Sequence, residues 1–495
     1  MKYVSTRGNE QNLQSAEAII AGIATDGGLF VPTEFPQIDM NFIESLVDLT
    51  YQQRAVKVLR TFLVDYTQAE IEACVNGAYG CDKFDTQKIA PLAEVGAADV
   101  LELWHGPTSA FKDMALQLLP QLMSTALKKT GEKDQIVILV ATSGDTGKAA
   151  LEGFKDVDQI RIMVFYPNGG VSKMQYLQMA TQPGSNVAVV AVKGNFDDTQ
   201  TGVKKIFGDQ DFKVKLKAKG VQLSSANSIN WGRLVPQIVY YFSTYADLLQ
   251  QKKITLGEKI NFSVPTGNFG NILAGYYAKN MGLPIHKLIC ASNTNNVLTD
   301  FLQSGIYDRN REFFKTITPS MDILISSNLE RLLYHVTGGD TNQIDIWMKQ
   351  LSSEGKYAVG DSYIKEIQEI FWSGWADDEK TKETIRKVYD VDQYVMDTHT
   401  AVAWQVAEEY KKATGDLTRT VVVSTASPYK FNDSVLNALG REIKGKDEFA
   451  LLADLESFNK TKAPAGLAQL RVMPVLHSSV CDKETMAAMV EAKIK

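Results

Sequence analysis

The sequence predicts an open, doubly wound α/β core of mostly parallel strands, preceded by a mainly helical N-terminal domain. Two observations carry the core. From about residue 98 onward, short and almost continuously apolar runs recur: VLELW, QIVILVA, RIMVFYP, NVAVVAV, KINFSVP, HKLICAS and RTVVVST. Runs that are apolar on both faces belong in a sheet covered on both sides, and the helical stretches between them make that sheet parallel. A third observation sets the N-terminal region apart. Residues 13–23, 40–64 and 68–78 carry apolar side chains at helical spacing, with a glycine-containing turn, DGGLFVP at 26–32, among them. The expected division is therefore an N-terminal helical domain over 1–92 and a catalytic core over 93–495. Within the core, 130–215 is expected to form a smaller, mobile subdomain, and the remainder a larger one with C-terminal helices. The stretch 340–395 reads as helices on the surface.

At 495 residues the chain exceeds one ordinary core. It is 44% hydrophobic and 22% charged, in the range of globular proteins. Lys plus Arg (52) nearly balances Asp plus Glu (58), for a net charge of −6 without blocks of one sign. This argues against a nucleic-acid footprint and against a polybasic membrane patch. The longest apolar run is far short of a bilayer span. MKYVSTRGNE lacks the apolar stretch of a secretory signal, and the four cysteines form no CxxC pair. A reduced, cytoplasmic protein is expected. The five histidines are dispersed without metal-ligand spacing, so no metal site is expected.

Ligands of such folds gather beyond the carboxyl ends of the strands, and two strand-to-helix loops stand there. QIVILVATSGDTGKAALEGF runs from strand through Thr142, Ser143, Gly144 and Asp145 into a helix, and KINFSVPTGNFGNILAG does the same through Gly267, Asn268, Phe269, Gly270 and Asn271. Small residues admit a ligand to the backbone, and a helix N-terminus offers free N–H groups to an anion. No GxGxxG or GxxxxGK[ST] occurs, so a nucleotide is not indicated. A third segment, HGPTSAFKDMALQ, places Lys112 between Phe111 and Asp113 on a loop that opens a helix. A lysine amine beside an aromatic ring, in a fold with a phosphate cradle, is what an aldehyde cofactor needs. Pyridoxal 5'-phosphate combines the aldehyde with a phosphate, and an amino-acid substrate adds the carboxylate for the second loop.

The ordered set HGPTSAFKDMALQ, ATSGDTGKAA, GNFDDTQ, NSINWGRLVPQ, PTGNFGNILAG, DTHTAVAW and STASPYKF resembles the threonine synthases of the long form. The resemblance runs from STRG at 5–8 through DGGLFVP to STASPYKF at 424–431, and so covers most of the chain. It implies a pyridoxal-phosphate enzyme of fold type II that converts O-phospho-L-homoserine and water to L-threonine and phosphate. Lys112 stands where the family has its Schiff-base lysine. Gly267, Asn268, Phe269, Gly270 and Asn271 match the cradle for the cofactor phosphate, and Thr425 the hydroxyl beside the pyridine nitrogen. Thr142 and Ser143 match the loop facing the substrate carboxylate, with Asp145 near the cofactor's phenolic oxygen. Asn227, Ser228 and Arg233 match positions that hold the substrate phosphate. His105 and His399 are expected to pack or orient, because Lys112 already covers the proton transfers. A monomer is expected on the resemblance alone. Ser427 and Tyr429 depart from the family's usual histidine and alanine, and Trp104 and Ser109 from its phenylalanine and leucine. A serine or threonine dehydratase, a β-replacing synthase, and a catalytically inactive homologue are the competing readings.

Overall fold

The computed structural model describes residues 1–8, 12–80, 82–142 and 144–494, with the side chains of Phe196 and Asp197 left aside. Two sheets organise the molecule. The larger has six strands in the order Phe371–Trp375, Ile285–Ser292, Ile260–Pro265, Thr420–Ser424, Ala98–Glu102, Leu92–Val95. All neighbours are parallel except the last pair, an antiparallel hairpin at one edge. The smaller has five parallel strands in the order Ser479–Asp482, Val187–Lys193, Ile160–Pro167, Gln135–Ala141, Val221–Ser224. Each apolar run noted above supplies a strand, and the inner strands are buried along almost their whole length, as runs apolar on both faces require.

Four strands of these two sheets fall outside those runs. Phe371–Trp375 lies within the stretch read as surface helices, and its FWSGW sequence forms an edge of the large sheet between the helices Asp361–Ile370 and Asp378–Asp392. Leu92–Val95, Val221–Ser224 and Ser479–Asp482 are edge strands of four residues each, too short for a periodic signal. The five-stranded sheet thus draws its two edges from 221–224 and 479–482, beyond the 130–215 stretch.

The N-terminal region is helical only in part. Tyr3–Ser5 pairs antiparallel with Phe30–Pro32, and the apolar period over 40–64 is divided into Met40–Glu44 and Tyr51–Phe62. The break has a local cause: Thr50 closes a capping box with Gln53 and starts the second helix afresh. These helices have no core of their own. Tyr3, Phe62 and Tyr277 close around Trp231, ring centroids 5.3, 5.5 and 5.5 Å away, in one continuous core with the strands of both sheets. Trp231 opens the helix Trp231–Gln250, which is buried along nearly its whole length and runs through the middle of the molecule. Among the described residues no helix is long and apolar enough to cross a membrane.

Candidate active site

The three segments singled out by sequence lie together at the carboxyl ends of the strands. The loop carrying Lys112 is stitched to the segment after Thr420–Ser424: the Phe111 N–H donates to the Thr425 carbonyl at 2.8 Å, and the Ser427 N–H to the Ser109 carbonyl at 3.1 Å. Ser109 takes a left-handed φ of 59° to make that turn. Lys112 then opens the helix Lys112–Leu116, with its ammonium 4.9 Å from the centre of the Phe111 ring. Asp113 accepts from both the N–H and the hydroxyl of Thr108, at 2.8 and 2.7 Å, and burial pushes its carboxyl up to about 6 despite them. Burial pushes the Lys112 amine down to about 8, aided by the cations Lys430 and Arg233 and opposed by Asp145 and Asp113.

Asp145 heads the helix Asp145–Phe154. Its carboxylate pairs with Lys430 at 2.8 Å, both side chains almost wholly buried, and accepts from Gln175 Nε2 at 3.3 Å. Burial alone would raise its pKa, but Lys430 and Lys112 outweigh that and hold it well below the carboxylate range. Lys430 also donates to the Thr108 carbonyl at 3.0 Å, so one ammonium joins the loops around 108, 145 and 425. The sequence reading did not single out Lys430. The signal available was a lone cation in the otherwise uncharged TASPYKF run directly after a strand. Thr142 is committed to its own loop, its hydroxyl accepting from the Gly144 and Gly147 N–H groups at 2.9 and 3.0 Å. Ser143 lies outside the described residues.

The second glycine loop leads into the helix Gly270–Met281. Its carbonyls are taken: Gly267 O accepts from the Ser326 hydroxyl at 2.8 Å, and Asn268 O from the Asn328 backbone N–H and Nδ2 at 3.1 and 3.0 Å. Phe269 holds a left-handed φ of 64°, and its buried ring packs on Phe371, so what it offers a ligand is backbone. A Cβ built on Gly270 would meet nothing nearer than Asn328, Gln237 and Ser228, at 3.5 to 3.7 Å, which places this loop beside the 227–233 segment. Asn271 accepts from Tyr240 and Tyr241 at 2.7 and 2.9 Å.

Unpartnered buried polar atoms gather here. Asn271 Nδ2, Arg233 Nε, Asn227 Oδ1 and Ser109 Oγ have no hydrogen-bond partner. Arg233 is buried, and among the described residues its one hydrogen bond runs from Nη1 to the Ala226 carbonyl at 2.5 Å. Burial lowers its pKa to about 10, so it stays cationic at neutral pH. Buried polar groups in folded proteins are nearly always satisfied. Open donors beside a helix N-terminus therefore fit a ligand bearing phosphate groups.

The two histidines are held by the protein itself. His399 Nε2 accepts from the Ser320 N–H at 3.2 Å, and its Nδ1 donates to Asp397 at 2.9 Å. That fixes the loop behind Gly267, where a Cβ would stand 2.7 Å from the Ser320 carbonyl. His105 lies between Asp85 and Glu102, which override burial and raise its pKa to about 9. The departures from the family pattern are built in. Ser427 caps the turn Pro428–Phe431, and the Tyr429 hydroxyl reaches the Thr461 carbonyl at 2.7 Å, tying the loop to the C-terminal helices. Trp104 Nε1 donates to Ser424 at 3.0 Å.

Residues 2–79 match the family model described as threonine synthase N terminus, and 400–472 that described as threonine synthase, C-terminal. The threonine synthase of Pseudomonas aeruginosa is 40% identical over 440 residues, covering 88% of this chain and 90% of that protein. The human threonine synthase-like 1 is 39% identical over 491 residues, covering 97% of this chain but 63% of that protein. This chain thus spans about two thirds of the length of the threonine synthase-like 1 relatives. The crystal structure of PLP-bound threonine synthase from Brucella melitensis superposes with a TM-score of 0.87 at 38% identity, covering 100% of this chain and 99% of that one. With this identity over most of both chains and the full course of the fold in common, the chain belongs to the threonine synthase family.

Proposed function

We propose that this protein is a threonine synthase that binds pyridoxal 5'-phosphate and converts O-phospho-L-homoserine and water to L-threonine and phosphate. The observation that carries the reading is a buried lysine whose amine is pushed down to about 8, in the same region as the unpartnered buried donors Arg233 Nε and Asn271 Nδ2. Lys112 would link to the cofactor, with the N–H groups of Gly267, Asn268, Phe269, Gly270 and Asn271 around its phosphate and Thr425 beside its ring nitrogen. When bound, the cofactor supplies the electron sink that stabilises negative charge on the substrate.

The chain's own residues do the rest. Lys112 Nζ, poised near neutrality, takes the proton from the substrate α-carbon and later returns one. Arg233, with Asn227 and Ser228, grips the γ-phosphate and stabilises charge on it as it leaves. Thr142 and Ser143 belong to the loop that receives the substrate carboxylate. Asp145 stays ionised beside Lys112 and fixes the electrostatic balance there. Water must add only after phosphate has left, so the half of the molecule built on the five-stranded sheet closes over the substrate. The free, buried thiols of Cys74, Cys290 and Cys481 support a reducing, cytoplasmic setting.

The test is direct. The purified protein reconstituted with cofactor should release phosphate from O-phosphohomoserine and form threonine in equal amount, and Lys112→Ala should lower that rate by roughly 10³-fold or more. Turnover of unphosphorylated serine or threonine to a keto acid, without phosphate release from O-phosphohomoserine, would instead identify a dehydratase. A cofactor-bound protein with neither activity would identify an inactive homologue.

A further inference from the structure

The motifs STRG and DGGLFVP, at the far end of the sequence from the site, take no part in the chemistry above, yet they meet two neighbouring buried residues, Glu330 and Arg331. Arg331 is 0% exposed. Its Nε donates to the Phe30 carbonyl of DGGLFVP at 2.9 Å, and its Nη2 to the Ile229 carbonyl at 2.6 Å. Its Nη1 is shared between the Ser228 carbonyl at 3.5 Å and the side-chain oxygen of Asn328. The neighbouring Glu330 is occupied elsewhere, accepting from Thr6 at 2.6 Å and from Arg7 through both carboxylate oxygens at 3.0 Å. Among the described residues no carboxylate forms an ion pair with Arg331 or with Arg233, although both guanidinium groups are buried.

Two cations without counter-ions thus hold one short loop, Arg233 through the Ala226 carbonyl and Arg331 through those of Ser228 and Ile229. Burying unpaired charge is costly, and a buried guanidinium ordinarily keeps a carboxylate beside it. Through Asn328 the Arg331 fork also reaches the Asn268 carbonyl of the neighbouring glycine loop. A ligand dianion between these loops would supply the missing charge.

We propose that Arg331 is a positioning residue of the substrate-phosphate site: set by the N-terminal motifs, its planar fork fixes the loop 226–229 and its unpaired charge strengthens the grip of Arg233 on phosphate. The inference rests on the assignment of Asn227, Ser228 and Arg233 to the substrate phosphate. It gives the N-terminal segment a part in substrate affinity.

Arg331→Lys keeps the positive charge but cannot bridge four acceptors at once. In the holoenzyme it should raise both the KM for O-phosphohomoserine and the inhibition constant of inorganic phosphate about tenfold, with kcat falling less than threefold. Equal losses in kcat and KM with unchanged phosphate inhibition would mark a merely structural role and overturn the proposal. Asn328→Asp supplies the missing counter-ion within contact of Arg331. It should weaken phosphate binding, read by calorimetry with inorganic phosphate, and unchanged binding would overturn the proposal even if Arg331→Lys does not fold. Should the wild type not turn over O-phosphohomoserine, the activity assignment fails. Phosphate binding by wild type and Asn328→Asp still decides the role of Arg331, and absence of phosphate binding to the wild type refutes it.

Discussion

The two glycine loops share a design, strand then small residues then helix, but they are held in opposite ways. The 267–271 loop is fixed through the Gly267 and Asn268 carbonyls, which accept from Ser326 and Asn328. The 142–147 loop is fixed by one internal hydroxyl, Thr142, and by the buried pair between Asp145 and Lys430. Neutral hydrogen bonds spread over several partners make a rigid cradle. An ionic contact between two halves of a molecule is a single joint, made or lost as a unit. The difference teaches that similar local sequence can be held by a spread of neutral bonds in one place and by a single ion pair in another.

Breaking the joint should have the largest effect. Lys430→Met leaves Asp145 buried without its cation, and removing one partner of such a pair costs about 3–5 kcal/mol, to be read from urea unfolding. The pH dependence follows from sign. The Asp145 pKa in the folded protein lies below its unfolded value near 3.9, so the pair's stabilisation is complete above that value and is lost as pH falls through the folded one. Lys430→Met should therefore flatten the acid limb of the stability profile. An unchanged limb would mean that the joint carries little. Gly267→Ala challenges the rigid loop instead. Its Cβ would meet the Ser320 carbonyl at 2.7 Å, so a loss of about 1–3 kcal/mol and faster loss of cofactor on dialysis are expected.

Lys112, under the charge of Asp145, gives a subtler test. With its pKa near 8, about one amine in ten is neutral at pH 7, against fewer than about one in a thousand for a lysine in water. Cofactor uptake by the apoprotein, followed by absorbance, should quicken about tenfold per pH unit below 8 and level off above it. A rise continuing past pH 9 would show that burial does not lower this amine. The smallest effect belongs to Phe269→Leu. The ring packs only on protein, so about 1 kcal/mol of thermal stability should go with cofactor affinity unchanged.

Much of the fold was legible because an inner parallel strand must be apolar on both faces, whatever its partners. Edge strands escape that rule: Phe371–Trp375 and Ser479–Asp482 are defined by the strand beside them, not by their own pattern. The site divides in the same way. Lys112 and the glycine loops announce themselves through residue type and position after a strand. Lys430, Gln175 and Asn328 act through partners far away in sequence, Lys430 and Asp145 being joined only once the fold brings strand ends together. Thr142 shows the converse: its hydroxyl was legible, but its use inside the loop was not.

The edge position of Ser479–Asp482 bears on synthesis. Its partner strand, VAVVAVK, has no other neighbour on that side, and Ser479 sits opposite Val190. A growing chain therefore exposes a bare, β-prone ribbon from the time residue 193 emerges until almost 290 more have followed. Unpaired edges of that kind recruit other chains, so this protein's need for chaperones should fall most heavily on the ribosome-bound nascent chain.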